Sequence, residues 1–192
     1  NYKYTEILES ADQVQLYKLL ARQVAGIMGF TACFLPKPAQ GINGSGMHTN
    51  ISIEQNGKNI FYGDDNEFGI SKIAYKFLTG ILYYANDLCL LMNSSVNAYR
   101  RLDPAYEAPN EIKVSRVDRG SMIRIPAGNE KSARIEVRTV APDANPYICY
   151  YGLVKAGLSG MEMTDEEFEK VEKKVFGGKI KTLPGEIYSA IE

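Results

Sequence analysis

The stretch Phe34-Leu-Pro-Lys-Pro-Ala-Gln-Gly-Ile-Asn-Gly-Ser-Gly-Met-His48-Thr-Asn-Ile-Ser52 holds the only histidine of the 192-residue chain. From that histidine onward the residues alternate. His48, Asn50, Ser52 and Glu54 fall on one side, and Met47, Thr49, Ile51 and Ile53 on the other. Strict alternation marks a half-buried strand, because successive side chains point to opposite faces of a sheet. The loop before it carries Gly41, Gly44 and Gly46, which permit positive φ or close backbone approach. A glycine-rich loop therefore feeds a strand whose polar face begins with an imidazole. The loop lacks the Gly-Lys-Ser/Thr ending of a Walker phosphate loop, and it does not match the dinucleotide fingerprint in context. A lone His beside glycines is as often a turn residue as a ligand, so the remaining chain must decide.

Further along, the alternation recurs. In Ser121-Met-Ile-Arg124-Ile-Pro126 the isoleucines share one face and Arg124 takes the other. In Arg134-Ile-Glu136-Val-Arg138 the charged residues share a face, with Ile135 and Val137 opposite. A surface salt-bridge ladder is the bland reading, and it would contribute little to stability. The span is nevertheless dense in arginine: Arg116, Arg119, Arg124, Arg134 and Arg138, with Lys131 between them. Guanidinium groups suit phosphate and carboxylate oxygens through paired hydrogen bonds. A sheet face offering His, Glu and several Arg reads as a metal–nucleotide cleft.

Helical spacing predicts helices over 12–28, 70–92 and 146–158, packed on one face of an antiparallel sheet: an α+β fold. Ser10-Ala-Asp-Gln13 reads as a capping box for the first helix, and Gly29 as its C-terminal cap. Thr31 to Leu35 reads as a strand. Gln55-Asn-Gly-Lys58 reads as a tight hairpin turn, and Thr164-Asp-Glu-Glu as a helix start. Asn1-Tyr-Lys-Tyr-Thr5 alternates like a strand cut into, so the chain is expected to be a piece of a longer protein. The acidic run Asp64-Asp-Asn-Glu67 lacks the spacing of an EF-hand and reads as a solvated loop.

Composition narrows the function. Lys+Arg number 22 against 23 Asp+Glu, a net charge of −1, which gives no overall basic bias toward nucleic acid or an anionic membrane. Apolar runs are far shorter than a membrane span, and no signal peptide is recognised. Three widely spaced cysteines, Cys33, Cys89 and Cys149, match neither a zinc pattern nor a disulfide framework, so the expected compartment is the reducing cytoplasm.

Four blocks, in order, give the chain a resemblance to glutamine synthetase, type I-like, and to the C-terminal part of its catalytic domain. They are Leu35-Pro-Lys-Pro…Gly41-x-Asn43-Gly-Ser-Gly-Met-His48, Tyr99-x-Arg-Leu-x-Pro-x-Tyr-Glu107-Ala-Pro109, Ser115-x-x-x-Arg119…Ile123-Arg124-Ile-Pro126, and Arg134-Ile-Glu136-Val-Arg138…Asn145-Pro-Tyr. They span nearly all of residues 10–160. The resemblance implies ATP-dependent ligation of ammonia to glutamate through a γ-glutamyl phosphate, with Mg²⁺ or Mn²⁺ as cofactor. It implies that His48 and Glu136 are ligands of one divalent cation. Asn43 and Gly44 match the loop that touches substrate glutamate, and Arg101 and Arg138 match the arginines that hold it. Glu107 matches the flap glutamate that closes the site and takes a proton from ammonium. Arg119 matches the arginine beside the transferred phosphoryl group, while Ser52, Arg124 and Lys131 match nucleotide-side residues.

Departures from the family pattern are Asn50, where many members have a second histidine, and Asp118, where Asn is usual. After Gly160 nothing matches the adenylylation-loop tyrosine of some members. The small N-terminal β-domain and the upstream metal-ligand strands are absent from this sequence, so the piece alone is expected to be inactive. The family also implies a homo-oligomer, a ring-type dodecamer for a full-length member. Two alternatives remain open at this point: a glutamate–polyamine or other amine ligase using the same acyl-phosphate chemistry, and a non-catalytic assembly module.

Overall fold

The structure, a computed structural model, describes residues 3–63, 65–103 and 108–191. Its elements in chain order are α1 (Ile7–Ile27), β1 (Thr49–Ile51), β2 (Glu54–Gln55), β3 (Lys58–Asn59), α2 (Lys72–Tyr83), α3 (Ala85–Met92), α4 (Val96–Arg101), β4 (Glu111–Ser115), β5 (Ser121–Arg124), β6 (Ile135–Val137), α5 (Pro146–Glu162), α6 (Asp165–Phe176), β7 (Lys181–Thr182) and α7 (Ile187–Ile191). Five strands form one sheet in the order β1-β6-β5-β4-β7, and β2 pairs with β3 in a separate hairpin. This is the expected α+β architecture.

Three of the four pairings in the main sheet are antiparallel: β1 with β6, β5 with β6, and β4 with β7. The fourth differs from expectation, since β4 runs parallel to β5 with Glu111 opposite Ser121 and Ser115 opposite Arg124. Parallel neighbours normally need a long crossover. Here residues 116–120 double back along β4 instead, and a set of local bonds holds the return. Glu111 N–H donates to Gly120 C=O at 3.1 Å. Ser115 Oγ accepts from the N–H groups of Val117 and Asp118. Lys113 Nζ bridges Glu111 Oε2 at 2.6 Å and Asp118 Oδ2 at 2.7 Å.

Helix boundaries shift for local reasons. The first helix begins at Ile7 rather than near residue 12, because Ser10 N–H already donates to Glu6 C=O at 2.8 Å. Ser10 is thus inside the helix, not a cap. Gly29 does end it, at φ +77°. The apolar run 70–92 is two helices, interrupted at Tyr84 (φ −94°, ψ 19°) and capped by Ser71 Oγ, which accepts from Ala74 N–H. Residues 31–35 form no strand and lead into the glycine loop. The Asn56-Gly57 turn has both residues at positive φ (52° and 75°), which matches the twist of a two-residue hairpin.

The core lies where α2 crosses α5 behind the sheet. Phe77, Leu78 and Ile81 of α2 and Leu153 of α5 are fully buried, as are Met122, Ile123, Ile135 and Val137 from the sheet. Glycines allow the close crossing: a Cβ at Gly80 would meet Gly160 N at 2.8 Å and overlap the carbonyl of Ala156. The sheet's apolar face is spent on this layer, which leaves its polar face for the site.

Candidate active site

Register brings the expected polar residues onto one face. Asn50 lies opposite Glu136 across β1 and β6, and Arg124 lies opposite Glu136 across β5 and β6. One row therefore reads Asn50–Glu136–Arg124. In the adjacent row Thr49 and Ile123 both pair with Val137 and face the core. His48 sits immediately before β1, one strand position beyond Asn50 on the same face, and Arg138 extends the face beyond β6.

Glu136 is the centre of the charge pattern. Its side chain is only 7% exposed, and three basic groups surround it: Arg124 Nη2 at 2.6 Å, His48 Nδ1 at 3.2 Å and Arg138 Nε at 3.4 Å. Burial by itself would raise the carboxyl, but the hydrogen bonds and charges of His48 and Arg124 overcome it and hold the group down at about 2. Glu136 is therefore a carboxylate at every physiological pH.

The His48–Glu136 spacing fits a shared metal ion. Two adjacent ligands held about 2.0–2.2 Å from one small divalent cation stand about 3 Å apart, and Nδ1 and Oε1 are 3.2 Å apart. Imidazole with carboxylate suits Mn²⁺ as well as Mg²⁺. Among the described residues no group of three or more His, Cys, Asp or Glu gathers, so within them His48 and Glu136 are the pair that could contribute to a cation site.

Donors for an anion stand beside this pair. The Nε of Arg124 is buried without a hydrogen-bond partner, and that of Arg138 has only the long 3.4 Å ion-pair contact with Glu136; a buried unsatisfied donor is costly unless something accepts from it. Arg138 Nη1 donates to Arg119 C=O at 2.8 Å, so the return loop after β4 is tied to the same face. Arg134 Nε donates to Asn50 Oδ1 at 2.9 Å and its Nη1 to Ser132 C=O. Asn50 thus presents a carboxamide that holds a guanidinium.

The glycine loop is pinned to α4. Asn97 accepts from Lys37 N–H at 2.8 Å and donates to Lys37 C=O at 3.0 Å. Lys37 Nζ donates to Ile42 C=O, and Ser45 N–H to Pro36 C=O. Gly41 has φ +77°, whereas Gly44 and Gly46 are needed for space, since a Cβ at either would press on Arg101. Asn43 is exposed on this loop.

Other expected residues lie at varying distance from this cluster. Ser52 follows β1 and is exposed, and Lys131 sits in an exposed turn where its N–H donates to Asn129 Oδ1. Arg101 is buried at 6% exposure, with both terminal nitrogens donating to backbone carbonyls. Glu107 lies outside the described residues. Sequence reasoning passed over Asn97, Lys113 and the Asn50–Arg134 pair. Lys113 alternates with Glu111 in a charged strand, a signal that could have been read; Asn97 carried none.

A glutamine synthetase from Plasmodium falciparum shares this fold at a TM-score of 0.86 and 24% identity over 98% of this chain and 46% of its own. A structure described as apo GmaS without ligand matches at TM-score 0.82 and 33% identity, over 100% of this chain and 45% of its own. The chain belongs to the glutamine synthetase family, whose model described as "Glutamine synthetase, catalytic domain" matches residues 1–192. Curated relatives include the glutamine synthetases of Pyrococcus woesei, 40% identical, and Thermus thermophilus, 36% identical, in each case over 100% of this chain and 45% of the relative. The chain spans about half the length of the curated relatives it matches.

Proposed function

We propose that this chain is the C-terminal part of the catalytic domain of a glutamate–ammonia ligase, and that it supplies the metal–phosphate face of the site. The observation that carries the reading is the 3.2 Å approach of His48 Nδ1 to Glu136 Oε1, flanked by the guanidinium groups of Arg124 and Arg138, both paired with the same carboxylate. His48 and Glu136 would hold one Mg²⁺ or Mn²⁺, which supplies charge neutralisation for the phosphates of ATP. Arg119, Arg124, Ser52 and Lys131 act on the nucleotide side. Asn43, Gly44, Arg101 and Arg138 face the substrate glutamate.

The reaction balances without a redox partner. A γ-carboxylate oxygen of glutamate attacks the terminal phosphorus of ATP, the bond to the bridging oxygen breaks, and ADP leaves. Ammonia then attacks the acyl carbon, inorganic phosphate leaves, and Glu107 takes the proton shed by ammonium. Phosphoryl transfer asks mainly for positioning and charge stabilisation, which a fixed row of guanidinium groups provides. Assembly into a homo-oligomer, a ring of the dodecamer type, and residence in the cytoplasm complete the proposal. The three free thiols of Cys33, Cys89 and Cys149 suit a reducing compartment, and no helix among the described residues is long and apolar enough to cross a membrane.

The test is phosphate release from ATP with glutamate and Mn²⁺ or Mg²⁺, run with ammonium and with putrescine, on the full-length protein that carries this chain. Release with ammonium that disappears in His48→Ala is the expected result, with no turnover by residues 1–192 alone. Release with putrescine only would assign an amine ligase instead, and release with neither would leave an assembly module.

A further inference from the structure

We propose that Lys113 is a positioning residue for Arg119: by bridging Glu111 and Asp118 it fixes the return of residues 116–120, and with it the arginine offered to the transferred phosphoryl group. The proposal rests on the reading of Arg119 as a phosphate-side residue.

Lys113 belongs to the polar side of β4. Ile112 and Val114 pack against the core, which leaves Lys113 and Ser115 on the other face. Ser115 lies opposite Arg124, and Arg124 opposite Glu136, so this side of β4 continues the row that holds Glu136. Lys113 Nζ bonds Glu111 Oε2 at 2.6 Å and Asp118 Oδ2 at 2.7 Å. The other oxygen of Asp118 accepts from Gly120 N–H at 2.8 Å, and Gly120 C=O accepts from Glu111 N–H at 3.1 Å. Arg119 therefore sits between two residues that are both tied to β4. Its own carbonyl accepts from Arg138 Nη1 at 2.8 Å, and Arg138 Nε stands 3.4 Å from Glu136 Oε1. A continuous set of contacts thus runs from Lys113 through the return to the carboxylate at the centre of the site.

Charge explains why a cation is needed at this place. Two carboxylates that bond one ammonium group are close neighbours, and without the ammonium their like charges repel. Space is short as well: a Cβ at Gly120 would stand 3.0 Å from Glu111 Oε2 and 3.4 Å from Asp118 Oδ1. The bonds to Asp118 and Glu111 hold the Lys113 ammonium above its ordinary range, and the bond from Lys113 holds the Asp118 carboxyl below its own. Both groups are therefore charged at neutral pH. The Asp118 side chain is 45% exposed, and ion pairs so open to water contribute little to stability. Loss of Lys113 should spare the fold and displace the arginine.

The test compares four variants of the full-length protein that carries this chain: Lys113→Met, Lys113→Arg, Lys113→Met with Asp118→Asn, and Lys170→Met on the exposed face of α6 as control. Readouts are kcat and KM for phosphate release, Tm, and amide exchange across residues 111–120 by mass spectrometry. Removing a charge-stabilising donor outright costs about 10²–10³-fold in kcat, so a displaced one should cost about tenfold. Lys113→Met should therefore show that fall in kcat, an unchanged KM for glutamate, a Tm near the parent's, and faster exchange confined to 111–120. Lys113→Arg should recover most of the rate, because a guanidinium can also bridge two carboxylates. The double variant should recover much of it too, since Asn lacks the repelling charge and still accepts from Gly120 N–H. Lys170→Met should match the parent. Parental kcat in Lys113→Met would overturn the proposal, as would a loss that neither second variant repairs, or one that follows Tm. If Lys113→Met does not fold, the double variant and Lys113→Arg decide by the same readouts. No phosphate release by the unaltered protein would refute the functional reading instead, and amide exchange would still decide whether Lys113 holds the return.

Discussion

Replacing Glu136 by Gln should destabilise the chain, and the sign of that change tests the electrostatic account of the site. In a metal site built from clustered carboxylates, removing one ligand relieves repulsion and stabilises the metal-free protein. Glu136 has the opposite setting, with Arg124 at 2.6 Å, His48 at 3.2 Å and Arg138 at 3.4 Å. Removing one partner of a buried ion pair costs about 3–5 kcal/mol, and an exposed pair about 0–1 kcal/mol. Glu136 and Arg138 are 7% and 12% exposed in their side chains, but Arg124 is 39% exposed and screened by water. The expected loss therefore falls between these limits, at about 2 kcal/mol. For a domain of this size each kcal/mol moves the melting temperature about 2–4 °C, so Tm should drop about 4–8 °C at pH 7.

Acidification gives the same prediction a second edge. The folded-state pKa of Glu136, about 2, lies below its ordinary value of 4.5. Its contribution is therefore complete above pH 4.5 and is lost as pH falls toward 2, because in that window the unfolded chain binds a proton that the folded chain does not. Urea unfolding of both proteins between pH 7 and pH 3 should show their stability difference narrowing with acid. A variant more stable than the parent at pH 7, or a difference that does not shrink on acidification, would refute the reasoning.

Two further predictions concern the scaffold. Gly80→Ala adds about 1 kcal/mol of helix propensity, but its Cβ would meet backbone at Ala156 and Gly160; overpacking of about 1–3 kcal/mol prevails, and a lower Tm is expected. Gly26→Ala, where nothing lies within 4 Å of the new Cβ, should instead raise Tm slightly, and the pair of scans checks both signs. Thr164→Ala removes the side-chain half of the capping box of α6, the hydroxyl that accepts from Glu167 N–H, at a cost of about 1 kcal/mol, read as faster amide exchange at Glu167 than in the parent.

The fold was legible wherever a signal was local and periodic. Arg134, Glu136 and Arg138 alternate with Ile135 and Val137, and the register with β1 and β5 places them as that alternation requires. Asn56-Gly57 and Thr164 announce their turn and cap because only a few residue types satisfy those backbone geometries. The parallel pairing of β4 with β5 gave no such notice. Its connection is far shorter than parallel strands usually need, and it depends on Lys113 reaching two carboxylates that are seven residues apart in sequence.

The site was legible in its residues more than in their duties. Gly44 and Gly46 read as room for a ligand, but the atoms that fill that room belong to Arg101, more than fifty residues later in the chain. Arg101 is assigned to the substrate carboxylate by the resemblance alone. Three main-chain carbonyls also accept from its guanidinium, and carbonyls leave no trace in a sequence, since every residue carries one. Side-chain identity reveals what a group can bind. Whether the backbone has already bound it depends on where α4 ends relative to β6, a distance set by the packing of the whole layer.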